Sequence, residues 1–356
     1  MVSNPRVHCP VQERCGGCPL MGRAPDAQRE LKLARVRDAF RAMDVPAPEP
    51  DWNVGPTRAY RNRLRLRIDA GQIGFFNPEK SVDCTVLEPS LHQTIGELRA
   101  VAAEHPDQLR AFAWLEVRGK DSHGVASVCL APHAALRAEA ELPSHLEAAR
   151  RALQQRLDAR TVVGVLGQGR PPMQRYVAEG VEVHVALGAF LQVNHQVNAQ
   201  LVRHVVGCAT QERATEFLDL YAGCGNFALP LAARGLRGTA VEVSGPSIAS
   251  LRAGVAAAGI TRLRVAPGDV AAALPQLGSA PSAFVIADPP RAGLGGAAEW
   301  MRQVCTRTLI LVSCNPKSLA RDVARLAPDF DIASLHAFDM FPHTEHVEVL
   351  AQMQRS

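Results

Sequence analysis

In the last part of the chain, short apolar runs take turns with stretches of helical period. Glu216–Tyr221, Gly238–Val243, Arg262–Val265, Ala283–Ala287, Leu309–Val312 and Val347–Gln352 read as strands, and Phe227–Arg234 and Ser247–Ala258 as helices between them. Such alternation predicts an α/β fold with a doubly wound, mostly parallel, Rossmann-like sheet. Ahead of it, His195–Cys208 reads as a helix with Asn194 as its N-cap. The middle of the chain is different. Residues 111–130, 162–166 and 181–185 carry β-branched alternation, residues 71–86 read as a hairpin turning at 74–78 and then a strand, and Ser144–Leu157 reads as a helix. From Tyr60 to Ile68 the alternation is strict, with Arg61, Arg63, Arg65 and Arg67 on one face and Leu64, Leu66 and Ile68 on the other. Near the amino terminus Gln28–Met43 is an amphipathic helix, and Pro46, Pro48 and Pro50 form a stiff linker. Three segments result: 1–50, a β-rich 51–187, and 188–356, the last holding the alternating sheet.

Composition narrows the class. No stretch approaches the ~18 apolar residues of a membrane helix, and the first residues lack a signal-peptide pattern, so a cytoplasmic protein, monomeric and without a membrane partner, is expected. The net charge of +4 is too small to argue for an anionic partner by itself. The Arg61–Arg67 face is a better argument, since four guanidinium groups on one strand suit phosphates. Nine cysteines in such a protein speak for metal binding and catalysis rather than disulfides. Cys9, Cys15 and Cys18 flank a Gly16-Gly17 turn that lets thiolates face one centre, and Cys84 is the best fourth ligand. Zinc and an iron–sulfur cluster both fit that set. Cys129, Cys208, Cys224 and Cys305 have apolar or glycine-rich settings and read as structural.

Chemistry-bearing residues gather at the expected strand ends. Gly223 and Gly225 follow the first strand of the sheet and open a helix, and Glu242 stands at the tip of the next, where an acid binds ribose hydroxyls in nucleotide folds. A third glycine is absent, which favours adenosine without a pyrophosphate. Asp269 could serve the adenine edge or merely cap a helix. Asp288-Pro-Pro-Arg291 points a carboxylate and a rigid turn at the same crevice. Cys314 lies where the Leu309–Val312 strand runs into Asn315-Pro316, at a strand's carboxyl end where ligands of such sheets bind, although a lone cysteine there is most often structural.

In these motifs the chain resembles the S-adenosylmethionine-dependent RNA uracil-5-methyltransferases that carry an iron–sulfur cluster. The resemblance rests on Cys9-x5-Cys15-Gly-Gly-Cys18, Tyr60-Arg61-Asn62, Phe190-Leu-Gln-Val-Asn194, Asp219-Leu-Tyr-Ala-Gly-Cys-Gly-Asn226, Asp288-Pro-Pro-Arg291, Ser313-Cys-Asn-Pro316 and Phe341–Glu348. It implies a methyltransferase sheet and a [4Fe-4S] cluster on Cys9, Cys15, Cys18 and Cys84. It also implies methyl-donor contacts from Gln192, Tyr221, Asn226, Glu242 and Asp288, with Cys314 as nucleophile and Glu348 as base. With no RNA-binding barrel ahead of Cys9, it groups the chain with the shorter members, many of which act on 23S ribosomal RNA, while others modify transfer RNA. The chemistry asks for both catalytic groups. A thiolate adding to uracil carbon 6 makes carbon 5 nucleophilic, and a base must then remove the carbon 5 proton. His343 and His346 are the alternative acid–base pair, held here as turn-forming groups. A rival of another class is an iron–sulfur or zinc protein that binds RNA without catalysis.

Overall fold

The computed structural model describes residues 7–75, 84–133, 144–168, 172–273 and 281–356. The expected turn at 74–78 and loop at 167–172 fall partly outside these ranges. In chain order the strands are β1 (Asp51–Asn53), β2 (Arg63–Asp69), β3 (Gln72–Gly74), β4 (Phe112–Arg118), β5 (Ala126–Pro132), β6 (Thr161–Val165), β7 (Met173–Ala178) and β8 (Val181–Ala186). They continue as β9 (Glu216–Leu220), β10 (Arg237–Glu242), β11 (Leu263–Pro267), β12 (Ser282–Ala287), β13 (Cys305–Ser313), β14 (Phe330–Phe338) and β15 (Glu348–Arg355).

The large sheet runs β1-β14-β15-β13-β12-β9-β10-β11. All neighbours are parallel except β15, which is antiparallel to both β13 and β14. Two apolar cores form on its faces. One holds Phe284, Ile286, Ile310 and Val312 with the helix His195–Gln211; the other holds Val285, Leu309 and Leu311 with Val36 and Phe40 of the helix Pro25–Arg41. Consecutive strand residues point to opposite faces, so a near-continuous apolar run is what a sheet covered on both sides requires. Asn194 caps the helix that follows it by accepting from the Val197 amide.

The sequence missed β14, where Asp331, Ser334 and His336 break the apolar run, and it did not anticipate that β1 extends the large sheet beside β14. Packing also crosses the segment boundaries at 50 and 187. The helix Pro25–Arg41 and the β7–β8 hairpin belong to the cores of the large sheet.

The smaller sheet runs β3-β2-β4-β5-β6. Leu64, Leu66 and Ile68 of β2 pack with Leu91, Ile95 and Leu98 of the helix Pro89–Glu104, which leaves the arginine side of β2 facing away from that core. The strand starts at Arg63 rather than Tyr60, because Arg61 forms isolated bridges with Leu87 and Asn194.

Candidate active site

The winding of the large sheet reverses at β9: the chain steps outward through β10 and β11, then returns to set β12 on the other side of β9. Connections leaving such a point in opposite directions open a crevice at the strands' carboxyl ends. Tyr221 leaves β9 with φ 60°, and Gly223 and Gly225 follow with φ 56° and 91°. At Gly225 a Cβ would sit 2.5 Å from a Leu251 methyl, so only glycine lets this turn close against the helix Gly245–Ala257. Glu242 ends β10, and its carboxylate accepts the amides of Gly223 at 2.8 Å, Val243 at 2.9 Å and Ser244 at 2.7 Å. Asp288 follows β12 and Cys314 follows β13.

Antiparallel pairing brings the last member in. Val312 pairs with Leu350 and Ser313 with Val349, so the next step in register sets Cys314 opposite Glu348. Leu350 joins one core and Val349 the other, which leaves Glu348, on the Leu350 face, at the mouth of the sheet.

The electrostatics of these groups are coupled. Burial first, then the Glu348 charge and, less, the Asp288 charge push the half-buried Cys314 thiol up to about 11, with Arg291 opposing them. Glu348 is 3% exposed, and burial followed by the Asp288 charge holds its carboxyl well above the usual range. Burial pushes Asp288 up to about 7. Beneath them Asp219 is fully buried without a hydrogen-bond partner on either oxygen among the described residues. Burial and then Asp288 raise its carboxyl well above the ordinary carboxylate range. Buried carboxyls gathered this way are relieved either by protons or by a cation. The crevice therefore suits a positively charged ligand.

The walls are tied down by named bonds. Asp322 accepts the Leu294 amide at 2.8 Å, Arg321 donates to the Ala292 carbonyl at 2.7 Å, and Asn315 donates to the Arg291 carbonyl at 3.2 Å. The turn after β12 is thus strapped to the helix Pro316–Leu326 after β13. Gln192 is buried, and its carbonyl accepts from Asn62 Nδ2 at 3.0 Å. Asn226 exchanges two 2.9 Å hydrogen bonds with Asn198. Tyr221 is half-buried, and burial, then Asp269 and Asp322, push its phenol up to about 12. Asp269 accepts the Ala272 amide at 3.3 Å, the capping role.

His343 is a turn residue. Its Nε2 donates to the Thr57 carbonyl at 2.8 Å, and Gln28 pairs with both its Nδ1 and its amide. His346 precedes β15, and burial lowers its pKa. Sequence reasoning missed Gln28 and Lys32. Lys32 is fully buried and donates to Asp339 at 2.5 Å and to the Phe341 carbonyl at 3.0 Å. Its signal was available, since Lys32, Val36 and Phe40 share one stripe of the helix at i, i+4 spacing.

Cys9, Cys15, Cys18 and Cys84 line one cavity with Met21, Phe75 and Val86. Burial first, then the other three thiols, push Cys18 up to about 12, with Arg61 opposing them. Thiolates crowded in an apolar cavity repel one another unless cationic metal lies among them, so the donor set fits a thiolate-bound centre. No three of these side chains, or of any others among the described residues, close on the geometry of a single bound ion. None of the nine cysteines is in a disulfide, and Cys129, Cys208, Cys224 and Cys305 are buried in the cores.

The sequence profile of the tRNA (uracil-5-)-methyltransferase family matches residues 178–276 and 275–356. The 23S rRNA (uracil(1939)-C(5))-methyltransferase of Chromohalobacter salexigens is 31% identical, over 98% of this chain and 76% of its own. The enzyme of the same description from Pseudomonas aeruginosa is 30% identical, over 97% and 80%. Among solved structures, the Pyrococcus abyssi tRNA (uracil-54, C5)-methyltransferase in complex with S-adenosyl-L-homocysteine superposes with a TM-score of 0.74. It is 23% identical, with 95% of this chain and 85% of that one covered, and it shows the shared fold.

Proposed function

This chain belongs to the tRNA (uracil-5-)-methyltransferase family, and from that premise we propose that it methylates carbon 5 of a specific uridine in 23S rRNA through a covalent bond between Cys314 and carbon 6 of the ring. As a member it is an S-adenosylmethionine-dependent RNA (uracil-C5)-methyltransferase. The observation that carries the proposed route is the register of β13 on β15, which faces Cys314 with Glu348 beside the Asp288 turn. Two groups with different duties, a nucleophile and a base, are what the reaction needs within reach of one carbon–carbon bond.

Cys314 Sγ adds to carbon 6, and the ring electrons move to carbon 5, which takes the methyl group. The donor would supply that methyl from a positively charged sulfonium, whose sulfur would keep the bond's electron pair and depart as a neutral thioether. Glu348 removes the carbon 5 proton, the electrons of that bond restore the carbon 5–carbon 6 double bond, and the carbon–sulfur pair returns to Cys314 Sγ as the bond breaks. The crevice carboxyls Asp219, Asp288 and Glu348 favour a cation on electrostatic grounds. Glu242 is the group for the ribose hydroxyls, with Gln192, Tyr221, Asn226 and Asp288 around the rest of the donor. The target uridine must leave its stack to reach Cys314, which is least costly from a loop.

Ribosomal RNA is favoured over transfer RNA because the relatives named for 23S rRNA are 30–31% identical across nearly the whole chain. Cys9, Cys15, Cys18 and Cys84 line one cavity, and for them a [4Fe-4S] cluster is proposed over zinc on the resemblance of the Cys9–Cys18 motif to the cluster-bearing members of the family. The three segments would divide the work: 1–50 carries the cluster loop, 51–187 faces RNA and lends Cys84, and 188–356 does the chemistry.

The test is to incubate the protein with methyl donor and RNA bearing 5-fluorouridine. The fluorine cannot be removed as a proton is, so a complex that survives denaturation is expected from wild type and none from Cys314→Ala. Wild type that forms no such complex on any RNA, while it binds the donor, sinks the covalent route. Mapping label from total RNA of a strain lacking the gene then separates ribosomal from transfer RNA.

A further inference from the structure

We propose that Tyr60, Arg61 and Asn62 form a joint that ties the four-thiol cavity to both walls of the catalytic crevice, so that filling the cavity positions Gln192 and the loop leading to Glu348. The proposal rests on the reading above, in which the thiols hold a cluster and the crevice binds the methyl donor.

Each of the three residues bonds to a different loop. Tyr60 is buried against Cys9, Cys18 and Cys84, and its hydroxyl donates to the Pro342 carbonyl at 3.2 Å. Arg61 donates its amide to the Val86 carbonyl at 2.8 Å and accepts the Glu88 amide at 3.0 Å, two and four residues beyond Cys84. Asn62 is 1% exposed; its amide donates to the Val193 carbonyl at 3.0 Å and its Nδ2 to the Gln192 carbonyl at 3.0 Å. An extended tripeptide presents its backbone groups to either side in turn, which is how so short a stretch serves three loops. Leu20, two residues past Cys18, adds a parallel tie by donating its amide to the His343 carbonyl at 2.9 Å.

Physical consequences follow from where these bonds end. Gln192 stands three residues ahead of the helix His195–Gln211, in the loop assigned above to the donor, and Pro342 six residues ahead of β15, in the loop that leads to Glu348. Neither wall is anchored only by its own sheet. A cavity whose thiolates are drawn together by metal holds Cys18 and Cys84, and through Leu20, Arg61 and Tyr60 it holds the walls as well. A free energy of coupling of this kind is reciprocal: if the centre in the cavity favours donor binding, the donor must favour retention of the centre by the same factor.

The experiment uses the full-length, iron-loaded protein. Release of iron to a chelator is followed by absorbance with and without saturating S-adenosylhomocysteine, and the affinity for that ligand is measured by calorimetry before and after stripping. The stripped protein is expected to bind the ligand about fivefold or more weakly, and iron release to slow when the ligand is bound. Asn62→Ala should weaken ligand binding about tenfold with iron content unchanged, since Gln192 loses its partner. Tyr60→Phe keeps the ring and removes one hydrogen bond, so it should lower kcat several-fold and leave the KM for the donor as it was. Identical iron release with and without ligand, in protein that binds both, overturns the joint alone, whether or not Asn62→Ala folds. Protein that takes up no iron, or binds no S-adenosylhomocysteine, overturns the site assignments and the joint with them.

Discussion

A thiol that must add to a pyrimidine ring works only as thiolate, and Cys314 in the free protein is held as a thiol, pushed up to about 11 by burial with Glu348 and Asp288 behind it. Glu348 is held in its acid form by the same surroundings. A cation entering the crevice favours ionisation of both, so on the proposed route the donor's sulfonium charge would prepare the proposed nucleophile and base together. For a group titrating near 11 the thiolate fraction grows about tenfold with each pH unit below that value. Alkylation of the Cys314 peptide by iodoacetamide should accordingly climb steeply from pH 7 to 10, and S-adenosylmethionine should shift the profile to lower pH. A plateau reached by pH 8 in the free protein would contradict this environment. Taken singly, a cysteine and an acid at strand ends read as structural and surface residues, and it was the family motifs around Cys314 and Glu348 that marked them as a candidate pair. Their pKa shifts were not legible, since these depend on burial and on Asp288 and Arg291 closing in from the end of β12.

At the scale of elements, the helix Pro25–Arg41 lends its apolar stripe to the large sheet and its polar positions to the loop before β15. Lys32 is the costly member of that stripe. Burial lowers its pKa, and the nearby Asp339 charge and hydrogen bond oppose that effect and keep it paired. Removing one partner of a buried pair strands the other, so Lys32→Met should cost about 3–5 kcal/mol in urea unfolding, and Lys32→Met with Asp339→Asn should recover much of it. An Asp339→Asn change that restores nothing would mean that the lysine's contacts with carbonyl oxygen and packing, not the ion pair, carry the effect. Most strands of the large sheet and the helices up to Ala257 were readable to within a few residues, because two-sided burial imposes unbroken apolar runs, but the helices Ala297–Val304 and Pro316–Leu326 were not anticipated. Nor was β14. It lies one strand from the sheet edge beside the short β1, and its polar residues are tolerated there.

Across the whole molecule, the arginine strand borders the crevice through Phe190, over whose ring Arg63 lies at 4.9 Å. The stripe is less uniform than its spacing suggests. Glu116 draws in Arg63 at 3.8 Å and Arg65 at 3.6 Å, while Arg118 is buried against the same carboxylate at 2.9 Å. Arg65, stacked 4.1 Å over Trp114, and Arg67 keep side chains 53% and 55% exposed, so they are the phosphate-binding groups to test. Arg65→Ala with Arg67→Ala should lower RNA affinity and flatten the plot of log K against log salt by about 1.4, at ~0.7 for each single-strand phosphate left without its arginine. An unchanged slope removes β2 from the RNA path. Periodicity and residue chemistry are local properties, and they were enough to read the α/β sheet and the four-thiol set from the chain, while the candidate nucleophile and base came from the resemblance of their motifs to a family. Only the folded arrangement set β15 antiparallel, so that Glu348 faces Cys314, let Glu116 restrain part of the arginine stripe, and carried Tyr60–Asn62 to three loops at once. Those facts depend on which distant strands and loops become neighbours, and burial and charge take their values only once that neighbourhood exists.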